Sequence, residues 1–327
     1  MTGPWPHPVE TILLGECGYW RFLRRLVRAS KDADIMILRG TSGFTEYYAE
    51  AVAALLIKLR RGRRAPAILV SDASWDMTSQ ALERLLPRRA WPLLPKLGRL
   101  AVRIPDGPHM VYGVLSTDEL RSFEDRWGID ADRVRFTPFY ATVAETVSEG
   151  AADGGYVFSG GNTNRDYELL VEAAEGLDHP VRIASTWTPT RPLPPNVEIT
   201  YTSVEEYHRR MAMATAIIVP LQPSARSVGQ QTYLSAMLLG KPTIITEAPG
   251  VRDYVMSGEN ALVVKPDAEA LRSALRWVLD PSNGEEVGRL AAAGRRLVEG
   301  RYLAADYYRS MWDEAVAFWE KRPRPDR

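Results

Sequence analysis

Short apolar runs alternate with longer amphipathic stretches along almost the whole sequence. Runs such as residues 66–74 (PAILVSDAS) and 216–220 (AIIVP) predict strands, and a stretch such as 44–62 predicts a helix. Apolar runs of this kind, each followed by a helix, are typical of parallel strands covered by helices on both faces. The sequence therefore predicts an α/β fold built on doubly wound parallel sheets.

The alternation of strands and helices occurs twice. After Thr142 the sequence becomes small, acidic and glycine-rich (VAETVSEGAADGG), which is typical of a linker, and a new strand begins near residue 156. We therefore predict two Rossmann-like domains facing across a cleft, at 1–145 and 150–305, followed by a C-terminal crossover helix and tail at 306–327 that return to the N-terminal domain. The predicted strands are 10–15, 33–40, 66–74, 109–116 and 133–138, then 156–159, 181–185, 197–200, 216–220, 243–246 and 261–264.

Composition excludes several functional classes. The 41 lysines and arginines balance the 41 aspartates and glutamates, so no global field draws the chain to nucleic acid, although residues 21–103 carry a basic surplus. Cys17 is the only cysteine, which excludes an intrachain disulfide and fits a reducing cytoplasm. The four histidines are scattered, so we expect no metal site, and we expect no signal peptide or transmembrane helix.

A glycine pair follows the first strand of the second half, in GYVFSGGNTNRDYELL. Gly160 and Gly161 would let the backbone approach an anion, and Arg165 at the start of the next helix would add a fixed positive charge. We interpret this turn as a phosphate site. An ordinary tight turn between strand and helix is the alternative interpretation.

The segment TAIIVPLQPSARSVGQQTYLSAMLLGKPTIITEAPGVRDYVMSGENALVVKPD resembles the C-terminal domain of GT-B glycosyltransferases of the retaining family-4 type. The usual text of that family is EGFGLVLLEAMAxGxPVI, and the resemblance covers residues 155–301. It implies a hexosyltransferase-type enzyme that takes a sugar from a nucleoside diphosphate sugar, such as a UDP- or GDP-sugar. It also implies a retaining, metal-independent reaction with no cofactor besides this co-substrate.

Two glutamates of the family motif are missing. By the resemblance, the first would contact the donor sugar and the second the ribose, and here Ser227 (followed by Val228) and Ser235 occupy those positions. A serine hydroxyl lacks the charge that strengthens a carboxylate contact. Gln230 or Gln231 could take over the sugar contacts, because an amide is both a donor and an acceptor.

The turn at Gly229 still has the features that bind a phosphate group. Inverting GT-B enzymes carry a similar spacing here, matched by Gly229, Thr232 and Ser235 without their glutamate. The amides of Gly229, Gln230 and Gln231, with the Thr232 hydroxyl, would face a diphosphate at a helix N-terminus. The glutamines could instead only cap the helix.

The resemblance also implies a nucleobase pocket after two strands of the second half. Its residues would be Ser185, Thr186, Tyr201 and Thr202.

The first half contributes three further candidates. By the resemblance, its first loop borders the donor phosphates, which implicates Gly15 and Glu16. Asp72 follows a strand after which the family often has a histidine, sometimes with an aspartate. If the reaction inverts, Asp72 or Glu16 would be the base. Asp72 could equally cap the helix that follows.

Residues 82–103 (LERLLPRRAWPLLPKLGRLAVR) interleave leucines and Trp91 with basic residues, as interfacial membrane segments do. We expect contact with an anionic membrane, which fits a cytoplasmic protein that is peripheral at the membrane. The acceptor would be a sugar, a lipid-linked molecule or a small molecule. Alternatively the leucines pack inward, and the prolines prevent one continuous helix.

Two other functions compete with sugar transfer. One is a different reaction on the same fold, such as sugar epimerisation or phosphorolysis. The other is a catalytically silent binding or scaffold protein, which the loss of both motif glutamates makes credible.

Overall fold

The computed structural model describes residues 10, 12, 18–40, 44–60, 65–75, 88–143, 152–224 and 226–322. The chain divides into two compact units. Unit 1 comprises the described residues within Met1–Pro138 and Tyr307–Arg327, and unit 2 is Phe139–Asp306.

Unit 1 is built on a parallel sheet of four described strands in the order β1-β2-β3-β4. All five residues of β2 and all five of β3 are buried, which explains their uninterrupted apolar sequences. The strands are β1 (Ile35–Arg39), β2 (Ala67–Ser71), β3 (Met110–Val114) and β4 (Val134–Phe136), and the helices are α1 (Tyr19–Ala29), α2 (Phe44–Leu59), α3 (Leu94–Arg103) and α4 (Thr117–Trp127).

The core of unit 1 joins these helices to the sheet. In α1, Phe22, Leu23 and Leu26 are buried at the three- and four-residue spacing of one helix face. The C-terminal helix α10 (Ala304–Lys321) also contributes to unit 1, since Arg135 Nε lies 3.1 Å from Glu314 Oε2. The predicted return of this helix to the N-terminal unit is confirmed.

Unit 2 contains a parallel sheet of six strands in the order β10-β9-β8-β5-β6-β7. The chain starts at β5, moves to one edge, and returns to continue from β8 on the other side of β5. This is the strand order of dinucleotide-binding folds, and the point where the order reverses lies between β5 and β8. The strands are β5 (Val157–Gly160), β6 (Val181–Ala184), β7 (Val197–Ile199), β8 (Ala216–Val219), β9 (Thr243–Thr246) and β10 (Leu262–Val264).

Most helices of unit 2 are capped at their N-termini by a side chain. Asp166 Oδ1 accepts the amide of Leu169 at the start of α5, and Ser203 Oγ accepts that of Glu206 at the start of α6. The helix α7 begins differently, because its N-cap is Gly229 and no side chain caps it. The helices are α5 (Tyr167–Ala174), α6 (Val204–Met213), α7 (Gln230–Leu238), α8 (Ala268–Leu279) and α9 (Gly284–Arg301).

The prediction of two Rossmann-like α/β units is confirmed, and ten of the eleven predicted strands coincide with β1 to β10. The predicted strand at 10–15 lies outside the described residues, apart from positions 10 and 12. The helix predicted at 44–62 ends at Leu59.

Candidate functional site

Two loops of unit 2 meet at the point where the strand order reverses. The loop after β5 (residues 161–166) and the loop after β8 (residues 220–229) leave neighbouring parallel strands. Arg165 and Leu221 form an isolated antiparallel bridge, and the Asp166 amide donates to Pro220 O at 2.8 Å. Ligands of such sheets bind at the carboxyl ends of the strands at this reversal point, so these joined loops define the candidate site.

The guanidinium of Arg165 is held by neutral acceptors only. Its Nε donates to Gly160 O at 3.2 Å, its Nη1 to Thr163 O at 2.8 Å and its Nη2 to Thr232 Oγ1 at 3.0 Å. Within the described part of the chain, no carboxylate pairs with it. Burial lowers the pKa of Arg165 from its ordinary value, which means that the site disfavours the isolated cation.

The N-terminus of α7 adds a second positive feature beside this cation. The first turn of α7 contains no acidic residue, and no side chain caps it. The amides of Gln230 and Gln231 find no acceptor among the described residues. A partly buried cation and a helix N-terminus at one place stabilise a bound anion, and a diphosphate has the charge to compensate both.

Gly229 gives α7 this open start. Its φ of 90° lies in the left-handed region, and a Cβ there would lie 2.8 Å from Leu221 Cδ2. Both the backbone angle and the space therefore require glycine.

The glycine pair after β5 has two different surroundings. A Cβ on Gly160 would overlap Tyr207 Cε2, so this glycine makes room for the ring of a tyrosine on α6. Gly161 has a φ of 109°, and the side chain of Arg165 lies over it. Gly160 thus accommodates a buried ring, whereas Gly161 turns the backbone beneath the cation.

Tyr207 also reaches the hydroxyl of Thr232. Tyr207 Oη lies 3.4 Å from Thr232 Oγ1, which already accepts a hydrogen bond from Arg165. If Tyr207 donates, both lone pairs of the Thr232 oxygen are used, and its hydrogen is free to be donated to an anion. Tyr207, which the sequence did not suggest, therefore belongs to the site.

Asn162 forms hydrogen bonds with the loop after β6, which is one of the two loops predicted to bind the nucleobase. Its Oδ1 accepts Ser185 Oγ at 2.7 Å and the Thr186 amide at 2.9 Å. Tyr201 is 74% exposed after β7, and Thr202 is partly buried. The structure joins Ser185 and Thr186 to the β5 loop through Asn162; no described hydrogen bond joins Tyr201 or Thr202 to that loop. Only the polar character of GGNTNR could have signalled Asn162.

The serines at the positions of the missing glutamates are engaged within the protein. Ser227 Oγ accepts Gln230 Nε2 at 2.7 Å, and Ser235 Oγ accepts the Thr142 amide at 3.1 Å. Both serines are buried, as is the neighbouring Val228.

Among the unit 1 candidates, Asp72 is described, whereas Gly15 and Glu16 lie outside the described residues. Asp72 follows β2 at the carboxyl end of the sheet and has a φ of 53°. Aspartate tolerates this left-handed conformation better than most residues, and such conformations cluster at functional sites.

The described residues contain no group of three or more histidine, cysteine, aspartate or glutamate side chains arranged to hold a metal ion. No described helix combines the length and the apolar character that crossing a bilayer requires.

The sequence of the site segment matches a known family. The family model of glycosyl transferases group 1 matches residues 162–281, which include the loop after β8 and all but the first residue of the loop after β5. The match lies entirely within unit 2. No curated protein sequence matches the chain significantly.

Solved structures similar to this chain cover residues of both units at low sequence identity. HepE from Anabaena, crystallised with UDP-glucose, has a TM-score of 0.64 at 14% identity, covering 95% of this chain and 86% of its own. A sucrose-phosphate synthase from Thermosynechococcus elongatus has a TM-score of 0.61 at 15% identity, covering 98% and 86%. A glycosyltransferase from Rickettsia africae ESF-5 has a TM-score of 0.62 at 12% identity, covering 92% and 81%.

At these identities the resemblance establishes the fold, which is the pair of Rossmann-like units of GT-B glycosyltransferases. Together with the group 1 family match, it confirms the GT-B glycosyltransferase resemblance found in the sequence.

Proposed function

We propose that the protein transfers a sugar from a nucleoside diphosphate sugar to an acceptor, with retention of configuration and without a metal ion. Arg165 carries the proposal, because it is a partly buried cation without a carboxylate partner among the described residues and it lies at the uncapped start of α7. A diphosphate would supply the missing negative charge. In this proposal residues 1–145 bind the acceptor and residues 150–305 bind the donor.

The protein groups would act mainly on the leaving diphosphate. Arg165, the Thr232 hydroxyl and the amides of Gln230 and Gln231 would hold the phosphates, with Gly161 in the turn beneath Arg165. Donors fixed before the reaction stabilise the charge that develops on the leaving group without reorganisation. The resemblance would add Gly15 on the phosphates, and the loops at Ser185, Thr186, Tyr201 and Thr202 on the nucleobase. If the outcome is inversion, Asp72 or Glu16 would be the base.

The order in which donor sugars should be tested follows from the similarity to HepE. It has the same fold and was crystallised with UDP-glucose, so UDP-sugars come first, followed by GDP-sugars. This is an analogy at the level of the fold.

Calorimetry with UDP-, GDP- and dTDP-sugars, followed by a transfer assay with sugar, lipid-linked and small-molecule acceptors, tests the proposal. We expect one donor class to bind and to release its nucleotide when an acceptor is present. If no donor binds, the transferase assignment fails. Binding without transfer or hydrolysis would favour the silent scaffold, and an epimerised donor would favour the alternative reaction.

We also propose that the enzyme contacts an anionic membrane through residues 82–103, of which the structure describes 88–103. Leu93, Leu97, Leu100 and Ile104 are between 46% and 55% exposed and follow one stripe along α3. Val102 points the other way and is buried in the core of unit 1. The alternative that these leucines pack inward therefore does not describe the α3 part of the segment.

Basic side chains flank this apolar stripe. Arg89, Lys96, Arg99 and Arg103 are exposed, and residues 88–103 contain no acidic residue. An apolar stripe bordered by basic residues suits an interface of anionic lipid, where each basic residue contributes about 1 kcal/mol near the surface. A lipid-linked acceptor would lie in that membrane.

Flotation with phosphatidylglycerol-containing vesicles tests the contact. The wild type should float with them at low salt and should not float with phosphatidylcholine alone. Leu97→Asp and Lys96→Glu/Arg103→Glu should each abolish flotation, whereas Arg289→Glu on the exposed face of α9 should not. Failure of the wild type to float, or flotation unchanged in both α3 variants, contradicts the contact.

A further inference from the structure

Two adjacent glutamines begin α7, and the structure gives them different environments. Gln230 is 5% exposed, and its side-chain amide donates to Ser227 Oγ at 2.7 Å. Gln231 is exposed, and within the described part of the chain its side-chain amide forms no hydrogen bond. The side chain of Gln230 thus forms a hydrogen bond within the protein, whereas the side chain of Gln231 is available to a ligand.

The side chains of the two serines also form hydrogen bonds within the protein. Ser227 receives the Gln230 bond, and Ser235 is 1% exposed with its Oγ bound to the Thr142 amide and 3.4 Å from Thr142 Oγ1. A buried hydroxyl that already has protein partners gains little from a ligand hydroxyl, since the existing bonds would first have to be broken. The two serines therefore have structural roles.

Gln231 occupies a favourable position for a ligand beyond the phosphates. It lies in the first turn of α7, directly before Thr232, whose hydroxyl binds Arg165. A group attached to a diphosphate held by Arg165 and the α7 amides would therefore be within reach of the Gln231 side chain. The primary amide provides two donors and one acceptor, which match the paired donor and acceptor character of sugar hydroxyls.

We propose that Gln231 is the specificity-determining residue that binds the hydroxyls of the donor sugar, and that Ser227, Ser235 and Gln230 maintain the loop. The inference rests on the proposed function and assigns the recognition of the donor sugar within it. Because the amide is uncharged, the expected donors carry neutral, hydroxyl-rich sugars.

Calorimetry with the sugar-free nucleotide separates this role from phosphate binding. The probes are the NDP of the wild type's preferred donor, that NDP-sugar, and its epimer with one inverted hydroxyl, such as UDP, UDP-glucose and UDP-galactose. Gln231→Ala removes only the side-chain amide and keeps the backbone amide that would face the phosphates. It should leave NDP affinity within about 2-fold, weaken the preferred NDP-sugar about 10-fold and remove most of the preference between epimers. Gln231→Glu, which keeps the acceptor and loses the donors, should retain only part of the preference.

Gln230→Ala is the matched control, since it removes the same amide one position earlier. It should lower the melting temperature, because it removes the hydrogen bond from Gln230 to Ser227, and it should keep the ratio of epimer affinities. Unchanged epimer preference in folded Gln231→Ala overturns the inference, as does a loss of preference in Gln230→Ala alone. If the wild type binds no NDP, the proposed function fails together with this inference, whereas NDP binding with Gln231-independent sugar preference overturns the inference only.

Discussion

At the scale of single residues, Gly160 and Tyr207 illustrate how the site is assembled from distant positions. The two residues are 47 positions apart in the sequence, and the ring of Tyr207 occupies the space that a side chain on residue 160 would need. The ring also packs edge-on against Phe158, with centroids 5.3 Å apart. Because Gly160 and Phe158 are both buried, the Tyr207 ring that packs against them has little freedom to move aside.

Gly160→Ala should therefore destabilise unit 2 by about 1 to 3 kcal/mol, the usual cost of overpacking a core. Urea denaturation followed by circular dichroism measures the change. Gly288→Ala is the matched control, because an added Cβ at this position of α9 would have no other atom within 4 Å, and it should stabilise by about 0.5 to 1 kcal/mol. Equal effects of the two substitutions would contradict this role of Gly160.

Tyr207→Phe removes only the hydroxyl that lies near Thr232. We expect nucleoside diphosphate affinity to fall about 3- to 10-fold, because Thr232 loses the partner that directs its hydrogen to the anion. Isothermal titration measures the affinity, and Tyr308→Phe on the partly exposed side of α10 provides a control. Wild-type affinity in Tyr207→Phe would remove Tyr207 from the site.

The sequence suggested some residues of the candidate site and did not suggest others, for a physical reason. Arg165, Gly229 and Thr232 were predicted because each lies next to a glycine turn or a helix start, which are local features. Tyr207 and Asn162 were missed because their partners come from other strands and helices. The internal bonds of Ser227 and Ser235 were also outside local reasoning, since the spacing of a motif does not reveal which hydroxyls the fold itself uses.

At the scale of secondary-structure elements, the start of α7 is the feature with the clearest consequence. Three other helices of unit 2 begin with an aspartate or serine side chain that accepts a first-turn amide. In α7 that place is left to a glycine, so the first-turn amides can bind a ligand oxygen.

We therefore expect ligand affinity to increase with the number of phosphates at this position. A nucleoside diphosphate should bind at least about 10-fold more tightly than the monophosphate, and the nucleoside should bind weakest, since each phosphate adds charge-assisted hydrogen bonds. The same series with Arg165→Ala should show a much smaller difference. Equal affinity for diphosphate and nucleoside would mean that the anion does not bind at α7.

The positions of strands such as β2, β3 and β8 were predictable because these strands are buried along their whole length and read as apolar runs. The sheet order was not predictable from the same runs. It determines that the loops after β5 and β8 are neighbours, and this adjacency brings Arg165 to α7.

At the scale of the whole molecule, the stability of unit 1 should depend on pH through His109. This side chain is 5% exposed, and burial, followed by the charge of Arg322, lowers its pKa from 6.5 to about 4. The folded state therefore holds His109 neutral, while the unfolded chain takes up a proton below pH 6.5. The stabilisation is complete above pH 6.5 and is lost as the pH falls toward 4.

Between pH 7 and pH 5, His109 should cost unit 1 about 2 kcal/mol of unfolding free energy. Urea denaturation monitored by the tryptophans at both pH values measures it. His109→Gln, which has no titrating group, should lose this part of the pH dependence, whereas His179→Gln, at a partly exposed position of unit 2, should keep it. The same pH slope in wild type and His109→Gln would contradict the account.

The division into two α/β units was predictable because the strand and helix pattern restarts in the middle of the sequence. Which substrate the units handle was not predictable from the pattern, since many functions share this fold. The proposed donor is inferred from the chemistry of the candidate site, and above all from the charge of Arg165, which no carboxylate among the described residues compensates.

The most direct test of the central claim is isothermal titration of UDP and GDP, and of their sugars, into wild type and Arg165→Ala. We predict that the wild type binds one nucleoside diphosphate class and that Arg165→Ala weakens this binding by about 1.5 to 3 kcal/mol, through loss of a charged hydrogen bond. The exposed Arg289→Ala should bind as the wild type does. Undiminished nucleotide affinity in a folded Arg165→Ala variant would contradict the claim that Arg165 and the start of α7 form the donor diphosphate site.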